Sequence, residues 1–504
     1  MWSAPLGQAP TSGVGVLVTG YNGGMTDIDA PRDLLIGGAW HPAEDGDRLD
    51  VLNPATEEVL ASVASAGPAD ARAAAEAAAA AQPAWAATAP RERAEVLRRA
   101  YALMTERAEG LARLITLENG KVLAEARGEV AYAAEFFRWF SEEAVRLHGQ
   151  VATAPAGTNR ILVLHQPVGV ALLITPWNFP AAMATRKIAP ALAAGCAVVL
   201  KPASLTPLTA LAIGALLQEA GVPDGVVNVV PGASASAITE AVLAHPAVRK
   251  LSFTGSTEVG KVLLRQAADR VLNTSMELGG NAPFVVLADA DLDAAVAGAM
   301  VAKMRHNGET CTAANRFYVE APVVEAFTQR LAAAMGAVTV GHGLDDGVGL
   351  GPLVDAATRD KVRDLVAAAL DHGARAVVGG TPGQGPGFWY PPTVLADVAP
   401  DNPILAEEIF GPVAPIVAVA DADEAVARAN DTPYGLVSYL YTGDLRRGLA
   451  LAERLEAGMV GLNRGLVSDP AAPFGGVKES GIGREGGHEG VLDYTETKYV
   501  ATEW

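Results

Sequence analysis

A thiol at Cys311, a carboxylate at Glu277 and an amide at Asn178 are the side chains of this sequence whose types would together support covalent chemistry on a carbonyl. The thiol would attack, the carboxylate would move protons, and the amide would steady a developing oxyanion. Cys311 is one of only two cysteines in 504 residues. A free thiol of pKa about 8.5 is only a few per cent thiolate at neutral pH, so a nucleophilic cysteine needs help from its site. The stretch Arg305-His306-Asn307-Gly308-Glu309-Thr310-Cys311 reads as a polar loop. The other cysteine, Cys196, lies in the apolar run Ala-Gly-Cys-Ala-Val-Val-Leu, where a small buried side chain suffices. Free cysteines are mostly buried filler, so the reactive reading of Cys311 depends on partners elsewhere in the chain.

Four further segments offer such partners. In Met276-Glu277-Leu278-Gly279-Gly280-Asn281, a carboxylate among apolar neighbours would have its pKa raised toward neutrality and become a usable base. In Ile174-Thr175-Pro176-Trp177-Asn178-Phe179-Pro180, asparagine is either a turn residue or an N–H donor to an oxyanion, a role whose loss costs about 3–4 kcal/mol of barrier. Leu200-Lys201-Pro202-Ala203-Ser204 ends a strand in a lysine at a sheet edge suited to a nucleotide. The run from Phe253 to Lys261 sets Gly255 and Ser256 before a helix, where free backbone N–H groups suit a phosphate. That run is nearly a P-loop, but Val262 stands where a hydroxyl is needed for magnesium.

The elements that must position these residues fall into two patterns. Residues 70–147 are alanine-rich with apolar positions at helical spacing. Residues 151–164 read as a hairpin turning at Ala156-Gly157-Thr158, and after Pro167 short apolar runs alternate with helices. The candidate strands are 168–174, 197–200, 226–230, 250–253 and 284–287. Thr206 is placed to cap a helix that opens at Pro207 and stops at Gly221. Such alternation implies α/β architecture with a parallel sheet, and ligands then bind at the carboxyl ends of the strands. A second such region runs over 292–461, with helices at 292–305 and 359–372. The glycine-rich tail closes on a strand over 495–501.

Bulk composition removes several functions. A net charge of -19 is unsuited to tracking phosphates, so nucleic acid is excluded as a partner. No apolar stretch reaches the roughly 20 residues of a membrane span. Two cysteines cannot make a disulfide framework and no zinc-ligand spacing occurs, so a reducing cytoplasm is expected and no metal. Residues 1–24 carry no charge and read as a disordered extension.

These segments, in their order and with the separations among Glu277, Cys311 and Glu408, resemble the NAD(P)-dependent aldehyde dehydrogenases, within them most closely the succinate-semialdehyde dehydrogenases. The similarity covers about 35–500. It implies a Rossmann-type cofactor domain over 25–150 and 168–280, an α/β catalytic domain over 281–460, and a small β oligomerisation arm from 151–167 and 461–504, giving a homodimer or homotetramer. It implies further that Cys311 attacks the aldehyde, Asn178 and the Cys311 backbone N–H hold the oxyanion, and Glu277 activates the hydrolytic water. Thr175, Pro176, Trp177, Lys201, Ser204, Gly232, Gly255, Ser256, Leu278, Glu408 and Phe410 would hold the cofactor. Arg186, Arg305 and Ser468 would hold a substrate carboxylate, for which arginine's planar fork is well suited, and Phe474 would join them in the substrate site. Members that prefer NAD usually carry glutamate at the position of Ser204, so serine favours NADP, or use of both. Glutarate semialdehyde is the rival substrate, since one methylene is worth only about 1–3 kcal/mol. A P-loop hydrolase and a non-catalytic relative are the readings from other classes; the second predicts loss of Cys311, Glu277 or Asn178, and none is lost.

Overall fold

The computed structural model describes residues 30–503, so the extension expected at 1–24 lies outside the described residues. The apolar runs after Pro167 become the strands Val170–Ile174, Ala197–Lys201, Val227–Val229 and Val248–Thr254, and Asn273–Glu277 joins them. Those five are parallel neighbours in one sheet. Nearly all their residues are buried because helices cover both faces, which is why the first two read as apolar runs rather than alternating ones. The chain builds from Val170–Ile174 outward to Val227–Val229, then returns to the other side with Val248–Thr254. A crevice therefore opens past Ile174 and Thr254, at the switch point where doubly wound sheets bind ligands. Thr175 to Asn178 and Gly255 to Ser256 form its lips. The antiparallel edge strands Leu34–Ile36, Ala39–His41 and Gly481–Ile482, too short to show a period in the sequence, complete this sheet.

The alanine-rich region forms the helices Pro68–Ala87, Pro90–Glu106, Ala108–Asn119 and Leu123–Glu143. Pro90–Glu106 and Leu123–Glu143 pack on the helix Pro180–Ala194, which is buried at every residue. Buried helix starts leave N–H groups that need acceptors, and two carboxylates from neighbouring helices supply them. Glu129 accepts from Ala181 and Ala182 N–H at 2.8 and 3.2 Å, and Glu118 accepts from Leu208 and Thr209 N–H at 2.9 Å each. Thr206 does precede the helix Pro207–Glu219, but it does not cap it. Glu118 holds that place, favoured by the helix dipole, and the Thr206 hydroxyl donates instead to Trp177 O at 3.2 Å.

Ala282–Val286 opens a second sheet, in the order Arg375–Val378, Thr393–Ala396, Val413–Val419, Ala314–Glu320, Ala282–Val286, Val437–Tyr441 and Met459–Leu462. All neighbours are parallel except the first pair. A third sheet joins Gln150–Thr153, Arg160–Pro167 and Thr495–Thr502 antiparallel. Its turn uses Gly157 at φ 72°, the left-handed region that glycine enters freely. Between the second and third sheets the tail first crosses back, pairing Val477–Lys478 with Tyr434–Gly435 and Gly481–Ile482 with Met276 and Glu277. Among the described residues no helix is long and apolar enough to cross a membrane.

Candidate active site

Glu277 and Cys311 are brought together because the chain passes from the strand of Glu277 straight into a neighbour of the strand that follows Cys311. Glu277 ends the last parallel strand of the first sheet, and Leu278 to Asn281 carry the chain directly into Ala282–Val286 of the second. Cys311 lies in the turn that enters Ala314–Glu320, the strand paired with Ala282–Val286. Gly280 and Cys311 thus pack backbone to backbone: a Cβ at Gly280 would stand 2.7 Å from the Cys311 carbonyl oxygen. Glycine is required there by space alone.

Cys311 is half-buried. Burial pushes its thiol well above the ordinary range, Glu277 pushes it further, and Arg186, Glu408 and Arg305 act on it more weakly, the arginines in the opposite sense. Its backbone N–H makes no hydrogen bond among the described residues. Cys196 is sealed in the first core, donates its thiol to Tyr494 O at 3.4 Å and is held up at about 11 by burial. It is inert filler, as its sequence context predicts.

Glu277 is 2% exposed and neither carboxylate oxygen has a hydrogen-bonding partner among the described residues. Burial lifts its pKa to about 8; Arg186 opposes the shift and Glu485 adds to it. Arg186 lies 3.9 Å from Glu277 but only 2.5 Å from Glu485, which also pairs with Lys187 at 2.5 Å. Phe474 and Glu485 exchange backbone hydrogen bonds at 2.7 and 2.8 Å, which sets the Phe474 ring over the Arg186 guanidinium at 4.3 Å. Arg186 is therefore not the free fork that the sequence leads one to expect. Its charge faces the site while Glu485 occupies its Nε side. Glu485 and Lys187 were missed in the sequence, because a distant carboxylate and a lysine within a helix look like ordinary surface charges until folding buries them.

Asn178 is buried and donates one amide N–H to Glu309 O at 3.0 Å, two residues before Cys311. Its Oδ1 accepts from Phe179 N–H at 3.1 Å, which fixes the amide so that nitrogen faces the Cys311 loop. A second amide N–H remains for an oxyanion. Lys121, ion-paired with Glu129, donates to Asn178 O at 2.8 Å and holds the segment from behind.

The loop before Cys311 is shaped by three left-handed residues, His306, Asn307 and Gly308, at φ 58°, 56° and 76°. Asn307 makes its turn tolerable by donating to Pro352 O at 2.8 Å and accepting from Gly351 N–H at 3.0 Å. Glu309 is fully buried and accepts from Val354 N–H at 3.0 Å. His306 stacks on Phe179 at 4.4 Å; burial, then Lys121 and Arg305, drive its pKa well below normal, so it is a packed neutral ring. Arg305 is half-buried, lies over the Phe179 ring at 5.5 Å and has no ion-pair partner among the described residues. Ser468 is half-buried in a loop after Met459–Leu462.

The crevice side fits a dinucleotide. Lys201 ends its strand 5% exposed and without a hydrogen-bonding partner among the described residues, so burial lowers its pKa to about 8. Ribose hydroxyls would satisfy it. Ser204 is half-buried in the turn that follows. Ser256 caps the helix Thr257–Ala268, accepting from Val259 N–H at 3.4 Å, which leaves backbone donors aimed at the crevice. Glu408, lifted to about 7 by burial, accepts from Gly280 N–H at 3.3 Å and so links the crevice to the glycine packed on Cys311. Trp177 meets Phe410 edge-on at 5.5 Å, with Phe410 at φ 57°. Thr175 and Leu278 are buried beside these lips. Gly255 is half-buried, but Gly232 is explained by packing, since a Cβ there would lie 2.8 Å from Ala66 O. The P-loop alternative fails: only Gly255 and Ser256 separate strand from helix, and Lys261 pairs with Glu479 at 2.8 Å instead of facing a phosphate. Among the described residues no cluster of His, Cys, Asp and Glu is arranged to hold a metal.

Residues 40–500 match the aldehyde dehydrogenase family. The chain belongs to that family. It is 60% identical over 442 residues to a succinate-semialdehyde dehydrogenase of Paenarthrobacter nicotinovorans, covering 88% of this chain and 98% of that one. It is 50% identical over 469 residues to a glutarate-semialdehyde dehydrogenase of Pseudomonas aeruginosa, covering 93% and 97%. The crystal structure of succinate-semialdehyde dehydrogenase from Burkholderia pseudomallei superposes with a TM-score of 0.94 at 48% identity, over 96% of this chain and all of that one. This aldehyde dehydrogenase thus shares its whole fold with enzymes acting on aldehydes that carry a carboxylate.

Proposed function

We propose that the protein oxidises succinate semialdehyde to succinate with NADP or NAD as acceptor. The observation that carries this reading is Arg305, a half-buried guanidinium that makes no ion pair among the described residues and acts on Cys311 together with Arg186. A free carboxylate on the substrate would supply the missing partner. Cys311 Sγ adds to the aldehyde carbon as Glu277 takes the thiol proton, and the new oxyanion lies against the Asn178 amide and the Cys311 N–H. When bound, the nicotinamide ring supplies an acceptor for the hydride on that carbon. Glu277, once its proton has passed to solvent, takes one from water, whose oxygen attacks the resulting thioester carbon. The carbon–sulfur bond breaks, succinate leaves and the thiol is restored.

Removing Arg305 deletes a charge-assisted hydrogen bond worth about 1.5–3 kcal/mol. Arg305→Ala should therefore lower kcat/KM for succinate semialdehyde about 10- to 150-fold and spare propanal; equal losses on both would refute the carboxylate grip. The Pseudomonas aeruginosa relative favours a second reading, glutarate semialdehyde, and parallel kcat/KM values for the two aldehydes decide between them. For the cofactor, Ser204 supports NADP because it presents no charge against a 2′-phosphate. Ser204→Glu should shift the preference toward NAD, and an unchanged NADP to NAD ratio would remove that support. The third sheet, with Val151 76% and Tyr499 58% exposed, is proposed as the arm that joins a second copy of the chain. Two unpaired cysteines fit a reducing cytoplasm.

A further inference from the structure

The Tyr132 hydroxyl is sealed from solvent, and the one side chain placed to hydrogen-bond it, the Arg186 guanidinium, can only donate, so among the described residues its own proton has no acceptor. Buried polar atoms are rarely left that way, and those that are mark places where a ligand or water sits. Tyr132 lies on Leu123–Glu143, among alanines and apolar residues that give no sign of a site in the sequence. Its ring is fixed edge-on to Phe136 at 4.9 Å, so the hydroxyl cannot swing away to find another partner. It stands beside the Arg186 guanidinium and within electrostatic reach of Arg305, and the same two arginines act on Cys311.

A carboxylate drawn into this chamber has about four lone-pair positions to satisfy. Arg305 supplies some of the donors. Arg186 supplies fewer than its fork allows, because Glu485 takes its Nε side at 2.5 Å, Met183 Sδ takes one Nη at 3.1 Å and Phe474 covers its face. Ser468 offers one neutral donor. Tyr132 offers another, already sealed from solvent, already oriented and with no acceptor for its proton among the described residues.

We infer that Tyr132 is a specificity-determining residue whose hydroxyl donates to the distal carboxylate of the substrate, alongside Arg305. The inference rests on the carboxylate-aldehyde reading above. Its effect is two-sided: a carboxylate pairs the hydroxyl, whereas an alkyl chain would leave it buried and unsatisfied. Sites built in this way reject substrates that lack the matching group more strongly than hydrophobic pockets do.

The test is Tyr132→Phe, which keeps the ring and removes only the oxygen. In the intact enzyme, kcat/KM for succinate semialdehyde should fall about tenfold, with kcat/KM for butanal unchanged or raised. Succinate as a competitive inhibitor should lose affinity by the same factor, while dinucleotide affinity stays constant. Equal effects on both aldehydes, or no effect on succinate semialdehyde, would overturn the inference. The parent enzyme separates this from the wider reading. Should it show no preference for succinate semialdehyde over butanal, the carboxylate reading falls and takes the inference with it. Should the parent prefer the carboxylate and Tyr132→Phe keep that preference in full, only the role of Tyr132 is lost.

Discussion

Gly280→Ala tests whether the nucleophile is placed by backbone contact, since it adds a single methyl group and changes no charge. Gly280 is not among the glycines at positive φ, so alanine can adopt its conformation and the effect is purely steric. The new Cβ would lie 2.7 Å from Cys311 O, and Leu436 stands behind it with Cβ at 3.3 Å. Carbon–oxygen contacts settle near 3.3 Å or beyond, so the two backbones must part by about 0.6 Å. Leu436 is buried against the second sheet and limits retreat on the Gly280 side, so much of the displacement falls on Cys311. A misplacement of about 1 Å can cost about 100-fold in rate, and a shift of this size should lower kcat roughly 10-fold or more. The assay is the pre-steady-state burst of reduced dinucleotide at about 340 nm, which reports attack and hydride loss before hydrolysis. Dinucleotide affinity, measured by fluorescence, serves as the control for folding. A variant that bursts at the parent rate would show that Cys311 is not positioned by its contact with Gly280.

Turnover limited by hydrolysis should rise with pH and level off above about 8, because burial lifts Glu277 to that value and only its carboxylate form can act as base. In stability the same shift runs the other way: its contribution is present below the ordinary carboxyl range, near 4.3, and is lost as pH rises through about 8. Glu277→Gln should abolish the pH dependence of turnover and lower it about 10²- to 10⁴-fold; a flat profile in the parent enzyme would count against the assignment. Glu129→Ala leaves Lys121 charged and unpaired in the core, a loss of about 3–5 kcal/mol by urea denaturation. Replacing both partners together, as Lys121→Met with Glu129→Gln, should cost less than the single change.

The parts legible in the sequence are those whose physics is local. Val170–Ile174 is apolar throughout and Ala197–Lys201 at every position but the last because both faces are covered, and such runs need no tertiary knowledge to be read as strands. Cys311, Glu277 and Asn178 stood out because each sits in a short motif with glycine or proline punctuation. What stayed hidden depends on contacts between distant segments. Glu485 looks like an exposed residue of a glycine-rich tail, yet an antiparallel exchange with Phe474 drives it under Arg186. Glu118 and Glu129 look like the polar faces of amphipathic helices, yet both serve the starts of other helices. Thr206 had the right residue type and position for a cap and lost the role to a stronger acceptor. Arg186 had the right type for a substrate fork and was found already engaged. In each case the sequence supplied the functional group, and the fold decided which partner reached it first.

Having one reactive sulfur and no accessible second thiol also fixes how this enzyme would fail under peroxide. Cys196 is walled into the core, and Ala313 stands where a neighbouring thiol would otherwise be within reach. A sulfenic acid formed at Cys311 could not be trapped as an internal disulfide, so its further course would be toward the sulfinic and sulfonic acids that ordinary thiols do not reverse. The raised pKa of the resting thiol works against that first oxidation, since the protonated sulfur reacts slowly. The same burial that makes attack on an aldehyde depend on a base therefore shields an irreplaceable atom between turnovers.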